Sequence, residues 1–192
     1  MARDVTAPRR LALVTRRYPP LIGGAEKVLS YLAKALAEAG ADVTVLTAAA
    51  QGAEALPREE AVALTRPRNG GRLQVVRLAS SPLRFVGTWL YMRNLARWFA
   101  ANPVDLAYVS MLKHDAYATV GAGQRLGVPV VLRPEGAGET GDVAWQAKGN
   151  FGSRIARKCR QADAFVTISK EIGRELAQAG YDPARTFFLR RD

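Results

Sequence analysis

Three short stretches carry residues able to do chemistry. The first is "RRYPPLIGGAEKV", Arg16 to Val28, where a pair of arginines, a proline pair and a glycine pair stand between an apolar run and an amphipathic stretch. The second is "KHD", Lys113 to Asp115, directly after "DLAYVS". The third is "PEG", with Glu135 just beyond "VPVVLR". Gly23 and Gly24 let the main chain approach a ligand with no Cβ in between. A helix starting there turns free N–H groups toward an anion, and Arg16, Arg17 and Lys27 add positive charge nearby. The same pattern also suits a tight strand-to-helix turn that needs glycine for geometry alone. Glu135 can position or deprotonate a hydroxyl, or can cap loop backbone. Lys113 and His114 suit acceptor binding, and their cluster equally suits the start of a helix.

These stretches share a place in the pattern, because each follows a strand-like run. Such runs are "LALVT" (Leu11 to Thr15), "DVTVLT" (Asp42 to Thr47), "LQVVRL" (Leu73 to Leu78), "DLAYVS" (Asp105 to Ser110), "VPVVLR" (Val128 to Arg133) and "AFVTIS" (Ala164 to Ser169), with "TFFL" as a seventh. Short β-branched runs that are apolar on both faces require a sheet covered on each side. Helical patterns between them predict parallel strands joined by right-handed crossovers. The fold class is therefore α/β: one Rossmann-like, doubly wound domain of three layers, with a mostly parallel sheet of six to seven strands. In such sheets ligands sit beyond the carboxyl ends of the strands, where all three stretches fall.

The clearest helix follows the glycine pair, with Ala25, Val28, Leu29, Leu32, Ala33 and Leu36 on one stripe and Gly40 placed as its left-handed stop. Further helices are predicted over Leu83 to Ala101, His114 to Leu126, Ser153 to Gln161 and Ser169 to Ala179, the last ended by Gly180. The segment Gln51 to Arg72 reads as a long loop.

Composition narrows the chemistry. A single Cys and a single His make a protein-ligated zinc site improbable, and the lone Cys159 agrees with a reducing, cytoplasmic setting. No G-x-G-x-x-G follows the first strand, and no G-x-x-x-x-G-K-[ST] loop occurs. Twenty-eight Lys and Arg against 17 acids give a formal charge of +11. That field attracts phosphates on nucleotides, nucleic acid or lipid headgroups. A nucleic-acid binder is disfavoured, because no helix-turn-helix, RNP-type or zinc motif accompanies the charge.

The stretch "LALVTRRYPPLIGGAEKVLSYLAKALAEAGADVTVLTA" closely resembles the opening of retaining glycosyltransferases of family four, which have the two-domain B-type fold. The likeness continues through "VVLRPEGAGETGD" and "ADAFVTISKEIGRELAQAGYDPART" and so covers nearly the whole chain. The resemblance implies transfer of a sugar from a nucleotide-sugar donor to a glycan or lipid-linked acceptor, with no metal or other cofactor. It also implies that Gly23 and Gly24 approach the donor phosphates; Arg16, Arg17, Lys113 and His114 are acceptor or cleft-lining candidates by their placement at strand ends. Relatives often carry His-Gly where "PEG" stands, so Glu135 occupies the place of a cleft histidine without an imidazole's switchable charge.

In the resembled family a second domain grips the nucleotide and orients the donor. Relatives usually continue beyond "TFFL" through an Asn-Gly turn into that domain, whereas this sequence ends at Arg190-Arg191-Asp192. The expectation is a flexible stretch over 1–10, an N-terminal transferase domain over 11–192, weak donor affinity for this chain alone, and a partner chain supplying the other half. The alternative is an inert fragment that holds a glycan, a lipid phosphate or a partner protein.

Finally, "SPLRFVGTWLYMRNLARWFAANP" interleaves Phe85, Trp89, Tyr91, Trp98 and Phe99 with Arg84, Arg93 and Arg97. Such a helix either lies peripherally on the inner face of a membrane or packs its aromatics on the sheet.

Overall fold

The computed structural model describes residues 9–19, 23–49, 56–66, 70–148 and 151–189. Eight strands form one sheet: β1 (Arg10–Val14), β2 (Asp42–Ala48), β3 (Glu59–Ala61), β4 (Arg72–Leu78), β5 (Leu106–Ser110), β6 (Val130–Arg133), β7 (Ala164–Thr167) and β8 (Thr186–Phe188). Their spatial order is β3-β4-β2-β1-β5-β6-β7-β8. The helices are α1 (Gly24–Glu38), α2 (Arg84–Ala101), α3 (His114–Leu126), α4 (Asp142–Lys148), α5 (Gly152–Cys159) and α6 (Lys170–Gln178). The chain grows outward from β1 through β2 to β4, then returns to add β5 on β1's other side. That reversal opens a crevice at the carboxyl ends of β1 and β5, where a doubly wound sheet binds its ligands.

Alternation along the strands divides the core between the two faces. Ala12, Val14, Leu46, Ala107, Val109 and Leu132 pack with Tyr91, Leu95 and Phe99 of α2 and Ala116 and Val120 of α3. Leu13, Val43, Val45 and Val75 face the other way, onto Leu29, Ala33 and Ala37 of α1. Val28, expected on that stripe, is 38% exposed. Gly40 and Gly180 take φ of 108° and 78°, so the two predicted helix stops are left-handed glycines.

The structure adds elements that local pattern does not announce. β3 pairs antiparallel with β4 inside the segment expected to be a loop. A buried cation recruits it: Arg77 of β4 donates from Nη2 to Glu60 Oε2 at 2.7 Å and from Nη1 to the Pro57 carbonyl at 3.0 Å. α4 lies in a Gly-rich stretch that shows no helical stripe. At the other end, residues 1–8 of the expected flexible stretch and residues 190–192 fall outside the described residues, while Arg10 already begins β1.

The aromatics of α2 split. Tyr91, Leu95 and Phe99, one helical turn apart, are buried on the sheet, whereas Trp89 is exposed with the Arg93 guanidinium over its ring at 5.3 Å. Among the described residues no helix is long and apolar enough to cross a membrane.

Candidate functional site

Gly23 is the N-cap of α1 in extended geometry, with no side chain capping the first turn. The cap is instead approached by Glu26, whose carboxylate occupies the space a Cβ on Gly23 would need. A third-position glutamate folded back on the cap supplies negative charge to the positive helix end. Gly24 differs: it is exposed, and among the described residues nothing lies within 4 Å of where its Cβ would point. The turn is thus closed on its Gly23 side by the chain's own carboxylate and open on its Gly24 side. Pro20 lies outside the described residues.

Across the crevice, the ends of β5 and β6 build a polar group around Glu135. The Ser110 hydroxyl donates to Glu135 Oε1, and Arg133 Nη2 pairs with Glu135 Oε2 at 3.1 Å. Arg133 is buried and its Nε has no partner. Burial pushes the Glu135 carboxyl above its ordinary pKa; Ser110 and Arg133 oppose that shift, and the Asp142 and Glu26 charges reinforce it. The Glu26 carboxylate therefore lies near enough for its charge to be felt at Glu135.

A second group gathers around Arg16, Lys113 and His114. The Arg16 guanidinium lies over the Tyr91 ring at 4.6 Å, and the Tyr91 hydroxyl donates to the Thr15 carbonyl. Lys113 is the N-cap of α3, but its side chain caps nothing; its Nζ sits 5.5 Å from the centre of the Trp145 ring, which His114 meets edge-on at 5.4 Å. Burial lowers the His114 pKa, and repulsion from Arg16 and Lys113 lowers it further, so the imidazole is neutral at neutral pH. Beside it the buried Asp115 carboxyl is pushed up to about 6 by burial, against the pull of Arg16 and Lys113. Arg17 is exposed.

One buried carboxylate joins the two groups. Asp142 Oδ1 accepts from the Leu112 N–H and Oδ2 from the Glu135 N–H, both at 2.8 Å. Gln146 donates to the Leu112 carbonyl at 2.8 Å and accepts from the Tyr181 hydroxyl at 2.9 Å. Between Ser110 and Leu112, Met111 adopts φ 73°, a left-handed conformation unfavourable for a side chain of its size. Its N–H donates to the Arg133 carbonyl at 2.9 Å. The strained turn persists because Asp142, Gln146 and β6 hold it from three directions.

The sequence-predicted residues are therefore partitioned. Gly23, Gly24 and Glu135 border one part of the crevice, and Arg16, Lys113 and His114 share another. Sequence reasoning gives no site role to Glu26, Asp142 or Gln146; it reads Asp115 only as part of a polar cluster and Tyr91 only as one of the α2 aromatics. A Gly-Asp pair before α4 is the only local sign of Asp142, since its partners lie 30 and 7 residues away. Among the described residues no cluster of His, Cys, Asp and Glu could hold a metal ion.

A family model described as a glycosyl transferase 4-like domain matches residues 23–191. The chain belongs to that family. No curated protein matches the domain's sequence. Solved structures resemble it in fold. The sucrose-phosphate synthase of Thermosynechococcus elongatus aligns with TM-score 0.68 at 13% identity, over 96% of the domain and 90% of that chain. Alr3699/HepE of Anabaena, solved with UDP and glucose, aligns with TM-score 0.61 at 14% identity, over 95% of the domain and 44% of that chain. The UDP-GlcNAc 2-epimerase of Methanocaldococcus jannaschii aligns with TM-score 0.62 at 12% identity, over 94% and 45%. At those identities the likeness is one of fold, the Rossmann-like half of a B-type glycosyltransferase. The glycosyl transferase 4-like domain spans less than half of the latter two proteins. That an epimerase shares the fold shows why function has to be argued from the site.

Proposed function

We propose that this domain is the acceptor-side half of a retaining sugar transferase. It works on a nucleotide-sugar donor and a glycan or lipid-linked acceptor, needs no metal, and is completed by a second Rossmann-like half that holds most of the nucleotide. The observation that carries the reading is the open main-chain turn at Gly24, set at the sheet's topological switch point in a family of transferase domains. A neighbour of the same fold solved with UDP and glucose supports the donor class.

In the reaction the bond between the sugar's anomeric carbon and the diphosphate breaks, a bond to the acceptor oxygen forms, and the acceptor proton leaves. The Gly24 turn and the first N–H groups of α1 receive the diphosphate, with Glu26 displaced from the cap. Glu135 has both oxygens engaged by Ser110 and Arg133, which fixes its orientation. Its remaining lone pairs receive a sugar hydroxyl. The neutral His114 and the cation of Lys113 line the acceptor side.

Calorimetric titration with nucleoside diphosphates and nucleotide sugars, with and without a chain supplying the second half, tests the reading. Gly24→Leu has room in the fold, so it should weaken diphosphate binding by about tenfold, about 1.4 kcal/mol, without altering the melting temperature. Equal affinity in the variant would return the turn to a purely structural role. Binding of glycan without any nucleotide, in either form, would favour an inert binding module.

A further inference from the structure

The transfer reading leaves the outer face of α2 and α3 unexplained. Opposite its buried stripe, α2 and the residue before it expose Leu83 (66%), Phe85 (75%), Val86 (50%) and Trp89 (56%). Beside Trp89 runs a groove of about 490 Å³ between α2 and α3. Its floor is made of small residues, Ala96, Ala118 and Gly121, and its cations are Arg93, Arg125 and Lys158. Among the described residues no acidic one lines it. Lys158 meets only neutral acceptors, Gln124 Oε1 at 3.0 Å and Gln161 Oε1 at 3.1 Å, so its charge is uncompensated there. The contrast with the other helices is one of composition: α1 sets Glu26 and Glu38 against Lys27 and Lys34, and α6 sets Glu171 and Glu175 against Lys170 and Arg174.

We propose that this face docks on an anionic lipid bilayer. A phosphate headgroup enters the groove among Arg93, Arg125 and Lys158, while Phe85, Val86 and Trp89 reach into the interfacial layer. Exposed aromatic and aliphatic side chains at one end of a helix, flanked by cations, match that boundary, where an apolar body and a charged tip are both solvated. Cations next to anionic headgroups gain attraction that fades within a Debye length. A nucleic acid would use the cations and the Trp89 ring, but it offers nothing to Leu83 and Val86. The exposed end of α2 follows β4, so it lies at the same sheet edge as the crevice, while Tyr91 carries Arg16 on the buried side of that helix. Docking therefore brings that sheet edge close to the headgroups. The docking itself is independent of the transfer reading; only its consequence for a lipid-linked acceptor rests on it.

Cosedimentation with vesicles tests the docking and needs no donor or acceptor. The protein should bind vesicles of equimolar phosphatidylcholine and phosphatidylglycerol at low salt, and not vesicles of phosphatidylcholine alone. Raising the salt should weaken binding by about tenfold or more. The double variant Arg93→Glu/Arg125→Glu should weaken it by more than the roughly fivefold per charge expected for simple removal. Trp89→Ser should abolish quenching by brominated lipid assigned to that residue, and both variants should still unfold cooperatively, because these side chains are exposed. Failure to bind anionic vesicles, equal binding to neutral ones, or unaltered binding of the double variant would overturn the proposal. Competition of single-stranded RNA for the same arginines, with no vesicle bound in its absence, would assign the face to nucleic acid instead.

Discussion

The two sides of the crevice are built on different physics. Around Glu135 the groups are charged and tied by directional hydrogen bonds, with Arg133 and Ser110 each engaging one carboxylate oxygen. Around Arg16 and Lys113 the cations rest on aromatic faces, Tyr91 and Trp145, and the acid among them is buried. The first arrangement fixes one orientation; the second tolerates sliding, because a ring face attracts a cation over a broad area. A site that must aim a carboxylate yet accept varied partners has use for both. Asp142 holds the two sides in register.

Removing that carboxylate is the strongest way to break the comparison. Asp142→Ala leaves the buried N–H groups of Leu112 and Glu135 without an acceptor, which should cost about 3 kcal/mol or more in urea unfolding. Asp142→Asn should cost less, since one amide oxygen can still serve one of the two.

Asp115 gives the next largest effect and touches only the aromatic side. Its pKa is about 6 in the fold against an ordinary value near 3.8, so between those values the folded state binds more protons than the unfolded chain. Stability therefore falls as pH rises through that window, by about 2–3 kcal/mol, and the contribution flattens above it. Glu135, also raised, acts in the same direction. His114 is lowered and acts oppositely, adding stability as pH rises through its own range. Asp115→Asn should remove most of the decline between pH 4 and 6 and should melt at a higher temperature than the parent at neutral pH. A decline that survives this substitution would move the titrating group to the Glu135 side.

A smaller change sharpens the role of the strained turn. Met111→Gly relieves the left-handed backbone and should stabilise the fold by about 0.5–1 kcal/mol after glycine's own entropy cost. In the Asp142→Ala background the gain should differ, because the turn then keeps only Gln146 of its two holds from α4. An effect of similar size is expected of Trp145→Leu, which removes the ring under Lys113 and beside His114. It should cost about 1 kcal/mol from the cation–π contact and lost packing on the core, and leave Glu135 untouched.

Much of this architecture was legible in the residues. β-branched runs separated by amphipathic stretches announced a parallel sheet, and the glycine pair, "KHD" and "PEG" each follow a strand in the fold as they do in the sequence. What escaped the sequence depends on distant contacts. β3 is a Glu-Glu-Ala triplet with no strand signal, and it pairs because Arg77 needs Glu60 and the Pro57 carbonyl. Asp142 resembles any helix-start aspartate until the loops after β5 and β6 arrive beside it. The partition of Arg16 from the glycine turn was equally hidden, because a guanidinium chooses among rings and carboxylates only once Tyr91 and Asp115 are in place.

Glu26 gives the glycine corner a history before any ligand comes. An anion arriving there finds the positive helix end already quieted by a resident charge, so entry is an exchange rather than an addition. On the proposed reading, an incoming group has to outcompete that resident charge at the helix end. Such an exchange would favour a doubly negative diphosphate over a singly charged anion.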